Sequence, residues 1–160
     1  MAHLIVRRAA PADSVQMAAL AQAAYAKYVP RIDRPPAPMV ADYETVASSQ
    51  HAWVIDRDGE VVGMLELEPQ RDHLLLLNVA VAPSRQGAGL GRLLLDLAES
   101  EAVRLGLPEV RLYTNEAMVE NLAYYTRRGY TETDRRAEGG FQRVFFTKRF
   151  EPRDRGPARG

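Results

Sequence analysis

The stretch Gly87-Ala88-Gly89-Leu90-Gly91 places three glycines in five positions and runs directly into Leu93-Leu94-Leu95. Glycine at this density serves either a backbone that must adopt φ > 0 or a group that must approach the main chain more closely than a Cβ allows. The loop follows an apolar run ending at Val81 and precedes leucines at helical spacing, so its free amides and the positive end of a helix dipole converge on one point. Such a point holds an anion, phosphate above all, although a tight strand-to-helix turn without a ligand would be spelled the same way. Two familiar phosphate loops are excluded by spelling. G-x-G-x-x-G requires glycine at 92, where Arg92 stands, and a P-loop requires Gly-Lys-Ser/Thr after four intervening residues. Arg85 and Arg92 beside the loop can add charge-assisted hydrogen bonds to phosphate oxygens, or they are solvated surface charges.

Composition narrows the chemistry further. The chain has 160 residues, 46% of them hydrophobic, which suits one compact α/β domain over residues 1–150. Residues 151–160 carry no apolar periodicity and are expected to form a mobile tail. Twenty-one basic and 21 acidic residues cancel, so no global field draws the chain to nucleic acid or to an acidic membrane. Cysteine is absent, which removes disulfides, thiolate metal sites and a covalent cysteine intermediate. His3, His51 and His73 stand at strand starts without metal-ligand spacing, and no metal is expected. The N-terminus lacks a charged-then-apolar leader and the longest apolar run, residues 74–82, cannot span a bilayer, so the expectation is a cytoplasmic protein.

The elements that must position the loop follow from periodicity. Residues 3–9 read as a strand, and Asp13 with Gln16 resembles a helix-opening capping box before Met17, Leu20, Ala21, Ala24 and Tyr28, which share one helical face. That helix is expected to end near Tyr28, because residues 29–38 hold four prolines in ten positions; a second short helix follows over 39–49. Asp58-Gly59 joins two strands as a hairpin, and residues 73–81 are apolar enough to predict a central strand buried on both faces. A helix over 90–105, a strand over 109–115, a helix over 116–129 and a closing hairpin about Gly139-Gly140 complete a mixed sheet covered by helices. The closing hairpin can pair across a homodimer.

Within this frame Gln86-Gly87-Ala88-Gly89-Leu90-Gly91 spells Q-x-x-G-x-G after a strand, and Glu120 to Tyr130, ENLAYYTRRGY, is an Asn-led helix with a tyrosine before R-x-G-Y. The two stretches, about thirty residues apart and in this order, resemble the GCN5-related N-acetyltransferase (GNAT) family. The resemblance implies a mixed sheet of six to seven strands with about four helices, and a V-shaped cleft where strand 74–81 splays from strand 110–114. It implies acetyl-CoA as cosubstrate, with pantetheine pairing along Asn78, Val79, Ala80 and Val81. The pyrophosphate would be held by Gln86, Gly87, Ala88, Gly89, Leu90, Gly91 and Arg92. It places the proton donor to the leaving thiolate at Tyr125 and a cofactor hydrogen bond at Asn121. Tyr124 points about 100 degrees from Tyr125 on the helix, toward the core or the cleft wall.

Acetyl transfer to an amine needs more. A lysine-like amine has a pKa near ~10.4, so at neutral pH about one molecule in a few thousand carries a free lone pair. Glu66 and Glu68 alternate with Leu65 and Leu67 and so project from one sheet face. They either relay a proton from the cleft or form the solvated face of an edge strand. Relatives often carry an acid just before the asparagine of this strand; Leu77 stands there, which turns attention to water acting with Asn78 or a backbone carbonyl. Tyr25, Tyr28, Arg31, Arg34 and Met39 are expected to wall the acceptor side, and a cationic wall suits an amine bearing a carboxylate or phosphate better than a polyamine. The reading is an acetyl-CoA-dependent N-acetyltransferase acting on a small-molecule or peptide amine by direct attack in a ternary complex. A non-catalytic CoA-binding or sensing module of the same fold is the alternative.

Overall fold

In the computed structural model residues 3–150 are described, and they form one seven-stranded sheet in the order β1-β2-β3-β4-β5-β7-β6. The strands are β1 (Leu4–Arg8), β2 (Ala52–Arg57), β3 (Glu60–Pro69), β4 (Leu74–Val81), β5 (Glu109–Asn115), β6 (Thr131–Glu138) and β7 (Phe141–Arg149). Neighbours are antiparallel except β4 and β5, which run parallel. Five helices cover the sheet: α1 (Ser14–Tyr25), α2 (Val29–Ile32), α3 (Tyr43–Ala47), α4 (Leu90–Arg104) and α5 (Val119–Arg127). The tail expected to be mobile lies outside the described residues. Both hairpin turns carry positive φ at both central residues, Asp58 (51°) with Gly59 (90°) and Gly139 (60°) with Gly140 (83°), as the twist of two-residue turns requires.

Two apolar layers hold the helices to the sheet. Met17, Leu20, Ala21 and Ala24 of α1 pack with α3 residues on Val54, Val61, Met64 and Ala80, while Leu90, Leu94, Leu95, Ala98 and Ala102 of α4 pack on the opposite face over Leu65, Leu74, Val110 and Leu112. The face of α1 is the one its periodicity predicts. The strand expected to be buried on both faces is central, but its residues alternate between buried and half-buried. Its even-numbered residues are the buried ones, and the half-buried Leu77, Val79 and Val81 line the cleft.

Other local expectations change for physical reasons. Helical structure continues past Tyr28, through a 3₁₀ turn into α2, because Pro30 falls in the first turn of α2, where its missing N–H would have had no helical partner. The break comes at Asp33, whose φ is 61°. The second short helix is confined to α3, capped by Asp42 accepting from the amides of Glu44 and Thr45. The capping box of Asp13 and Gln16 does not form. Gln16 reaches sideways to the amide of Val61 at 2.9 Å. Asp13 instead accepts from Arg7 Nη1 at 2.8 Å, Arg7 Nη2 at 2.9 Å and the amide of Ala10 at 2.7 Å.

The Asp13 side chain is 8% exposed, and the Arg7 hydrogen bonds hold its pKa below the usual carboxylate range against the opposing effect of burial. A depressed carboxylate pKa stabilises the fold above the unfolded-state value near ~3.9, and this contribution is lost as pH falls through the lower folded value. Asp13→Asn should therefore destabilise by about 2 kcal/mol at pH 7, less than a fully buried pair because Arg7 is 35% exposed. Urea titrations should show the difference from wild type shrinking below pH 4; a gap that persists in acid would show that packing, not charge, is at work.

Candidate active site

β4 and β5 pair only at Leu74 with Val110, Leu75 with Arg111 and Leu76 with Leu112, then separate. The parting coincides with a bulge. On β3, Glu66 pairs with Asn78 and Leu67 with Leu76, leaving Leu77 as an extra residue. One inserted residue exchanges the faces of everything beyond it. Leu74 and Leu76 accordingly pack in the α4 layer, whereas Ala80 packs in the α1 layer. Beyond the bulge, the edge of β4 that would meet β5 lies open. The Val79 carbonyl accepts from the Tyr25 hydroxyl at 3.2 Å and the Val81 carbonyl from Gln86 Nε2 at 3.4 Å.

Two cavities occupy the opening, one of about 490 Å³ at the glycine loop and one of about 230 Å³ under the proline-rich segment. They share Tyr25, Val79, Asn121 and Tyr125 as common walls. The structure brings Val79, Ala80, Val81, Gln86, Gly87, Gly89, Leu90, Gly91, Arg92, Asn121 and Tyr125 together around the larger cavity. Ala88 belongs to the same loop but is not among its lining residues.

The three glycines serve both of the needs their density suggests. Gly87 (φ 87°) and Gly89 (φ 83°) occupy the left-handed region, Gly89 as N-cap of α4, and a Cβ on either would meet nothing within 4 Å. Gly91 has ordinary φ, but its Cβ would lie 3.1 Å from the Tyr124 hydroxyl. Tyr124 is thus a wall of the larger cavity, one of the two places its helical direction allows. Among the described residues five cations, Lys27, Arg85, Arg92, Arg127 and Arg128, line this cavity with one acid, Glu120, which is paired with Arg31 at 2.8 Å. Arg85 Nε and Arg128 Nε are buried with no partner among the described residues. Lys27, Arg127 and Arg128 are additions to the set expected from the sequence. The two arginines lie inside the R-x-G-Y stretch, which is a signal that could find them; nothing in the sequence marks Lys27.

At the junction Tyr125 is buried, its ring 5.7 Å from Tyr124 and 5.8 Å from both Tyr130 and Phe146 between centroids. Burial pushes its pKa well above the ordinary phenol value, with Tyr124 and Tyr28 adding to the effect, so the hydroxyl is protonated at neutral pH. Asn121 Nδ2 reaches Thr114 Oγ1 at 3.4 Å. Asn78 lines the smaller cavity and is held from two sides: its Oδ1 accepts from Tyr25 at 2.8 Å and its Nδ2 donates to Tyr43 at 3.2 Å. Tyr43 in turn donates to the Pro38 carbonyl. Asn78 therefore ties β4 to α1, α3 and the proline-rich segment.

The two carboxylates separate. Glu66 is half-buried and lines the smaller cavity, whereas Glu68 is exposed and outside it. Their strand is interior, between β2 and β4, and not an edge. Burial raises the Glu66 pKa, helped by the charge of Glu68, and burial likewise pushes the Tyr43 pKa to about 12, with the charge of Glu66 adding to it. Arg31 and Arg34 do not wall the acceptor side. Arg31 crosses the cleft to Glu120, and Arg34 lies 4.1 Å from the Phe141 ring centroid and donates to the Gly140 carbonyl at 3.2 Å. Met39 contributes its carbonyl to Gln22, and Tyr28 faces the larger cavity.

Residues 17–130 match the acetyltransferase (GNAT) family, and the chain belongs to it. The family uses acetyl-CoA as cosubstrate. A mycothiol acetyltransferase of Jonesia denitrificans is 31% identical over 83 residues, 51% of this chain but 26% of that protein, so this chain matches about a quarter of that relative's length. Among solved structures, the PaiA N-acetyltransferase of Thermoplasma acidophilum in complex with coenzyme A superposes with TM-score 0.76 at 16% identity, covering 92% of this chain and 99% of that one. A GCN5-related N-acetyltransferase from Rhodopseudomonas palustris gives 0.77 at 21% identity over 94% and 98%. These likenesses establish the fold. Among the described residues no helix is long and apolar enough to cross a membrane.

Proposed function

We propose that the protein is an acetyl-CoA-dependent N-acetyltransferase that acetylates a primary amine by direct attack in a ternary complex. The observation that carries this reading is the meeting of a cationic cavity and an apolar cavity at Tyr125, with Glu66 in the wall of the second. The residues present fit the cosubstrate. The cations Arg85, Arg92 and Arg128 lining the larger cavity and the open space over Gly87 and Gly89 suit a diphosphate. The edge of β4 at Val79 and Val81, which no strand pairs and whose carbonyls meet only the side chains of Tyr25 and Gln86, suits an amide-bearing arm.

When bound, acetyl-CoA supplies an activated acyl carbon and a thiolate leaving group. The chain's residues do the rest. Glu66, its pKa raised by burial, accepts the proton that the nitrogen sheds as its bond to carbon forms, directly or through one water. Tyr125 donates a hydrogen bond or proton to the departing sulfur. The tie of Asn78 to Tyr25 and Tyr43 holds the bulged strand in place between them. Isothermal titration with acetyl-CoA, ATP and NAD, followed by thiol release and mass analysis over an amine panel, tests the reading. Binding of acetyl-CoA without transfer to any amine would leave a CoA-binding module instead.

Glu66→Gln should lower kcat/KM about tenfold to a hundredfold at pH 7 with little change in the Kd for acetyl-CoA. Wild-type kcat/KM should rise with pH through a midpoint above the ordinary ~4.3 of glutamate, because burial favours the protonated carboxyl. The variant should lack that limb; an unchanged profile would assign the base elsewhere.

A further inference from the structure

The lining of the smaller cavity defines an acceptor more narrowly than the fold does. Of the described residues lining it, only Glu66 and Arg143 carry charge. They stand on opposite flanks of the cleft. Glu66 is on β3 opposite Asn78, and Arg143 is on β7 opposite Asn115, so β4, the opening and β5 lie between them. At ~4.8 Å per strand the backbones are separated by on the order of 14 Å before the splay is added. The wall between them is mixed, with Leu77, Met118 and Phe141 giving it most of its apolar surface, Ile32 and Pro36 covering it from above, and Asn78, Thr114, Asn115 and Asn121 contributing polar groups.

Arg143 is held as a fixed charge. Its side chain is 16% exposed, its guanidinium carbon lies 4.3 Å from the Tyr113 ring centroid, and Nη1 is bonded to Glu138 at 2.6 Å. A guanidinium has five N–H donors, and the contact with Glu138 uses one of them. The segment above the cavity follows α1 and is fastened to the far side of the cleft twice, by Arg31 to Glu120 and by Arg34 to Gly140 and Phe141. This roof disfavours passage of a polypeptide chain. At about 230 Å³ the cavity falls below the ~300–1,000 Å³ of ordinary ligand pockets, which favours a small acceptor.

We infer, resting on the acetyltransferase reading of this site, that the acceptor is a small primary amine with an apolar, ring-sized middle and a carboxylate at the end remote from the amine. Its nitrogen lies beside Glu66 and its carboxylate on Arg143. A polyamine would set its second ammonium against Arg143 in a largely apolar cavity, where like charges repel with little screening.

Matched acceptors test this. 4-(Aminomethyl)benzoate and benzylamine differ only in the remote carboxylate, as do phenylalanine and 2-phenylethylamine in an adjacent one, and spermidine serves as the polyamine. With wild-type enzyme and saturating acetyl-CoA, kcat/KM should favour 4-(aminomethyl)benzoate over benzylamine at least tenfold, with a smaller ratio for the second pair and the slowest turnover for spermidine. Arg143→Met, which keeps an apolar stem against Tyr113, should bring the first ratio to within about twofold of unity, and Arg143→Lys should restore part of it. Equal rates within the first pair in the wild type, or preference for spermidine, would overturn the inference while leaving acetyl transfer intact. Transfer to none of these amines or to any of the wider panel would instead overturn the acetyltransferase reading. The wild-type comparison stands even if the Arg143 variants fold poorly.

Discussion

Gly89→Val should weaken acetyl-CoA binding at least a hundredfold while leaving most of the fold in place. Gly89 is the N-cap of α4 with φ at 83°, where a β-branched residue is a severe outlier, so some loss of stability, about 1–2 kcal/mol, is expected from strain alone. The larger effect is on the ligand. A Cβ at this position meets no protein atom within 4 Å, and under the proposed reading the open space it enters is where the diphosphate would lie. Gly89→Asn separates the two causes, because asparagine tolerates the left-handed region yet still projects a side chain into the site. Isothermal titration should find both variants impaired, and thermal melts should find mainly the valine variant destabilised. If the asparagine variant binds like wild type, strain and not obstruction explains the valine result.

The legibility of this loop and the illegibility of its surroundings have one physical origin. A glycine at positive φ and a leucine stripe on a helix are local constraints, written in a few consecutive residues, and the loop, α4 and the buried face of α1 follow from them. The bulge at Leu77 is a single insertion in an apolar run. Period-two reasoning cannot detect it, because leucine is acceptable on either face, and so the flip that lets Asn78 point to Tyr25 and Tyr43 is invisible to it. Arg31 and Arg34 show the complementary difficulty. Their charge is plain, but a charge on a connecting segment reaches whichever partner tertiary structure supplies, here Glu120 and Phe141 across the cleft. The cation of the smaller cavity comes instead from Arg143 in the closing hairpin, without any local pattern to mark it.

Asp13 departs from its expected role for a related reason. An acid three residues before a glutamine fits a helix opening, but Arg7, six residues earlier, lies alongside once the first strand is laid down. A bidentate guanidinium outcompetes a neutral amide for a carboxylate. Local capping rules lose to a charged partner that only the fold brings near.

Tyr125→Phe should lower kcat about a hundredfold and leave the Kd for acetyl-CoA within a few-fold of wild type. The ring is fixed by Tyr124, Tyr130 and Phe146, so removal of the hydroxyl should preserve packing. The size of the effect follows from acidity. A thiol of cysteine type has a pKa near ~8.5, below that of even an unperturbed phenol at ~10, and burial moves Tyr125 higher still. Complete proton transfer to the sulfur is therefore uphill by about 1.36 kcal/mol for every unit of difference, lessened where the same dry cavity also raises the pKa of the sulfur. The hydroxyl contributes mainly by donating a hydrogen bond to sulfur as charge develops, which places its value at the low end of the ~10²–10⁴-fold range of general acids. Tyr124→Phe supplies the contrast. The Tyr124 hydroxyl faces Gly91 in the wall of the larger cavity, so that variant should shift the Kd for acetyl-CoA and spare kcat. Single-turnover kinetics with a verified acceptor distinguish the two tyrosines. A Tyr125→Phe enzyme that turns over at the wild-type rate when chemistry is limiting would show that the sulfur leaves unaided and that Tyr125 serves packing alone.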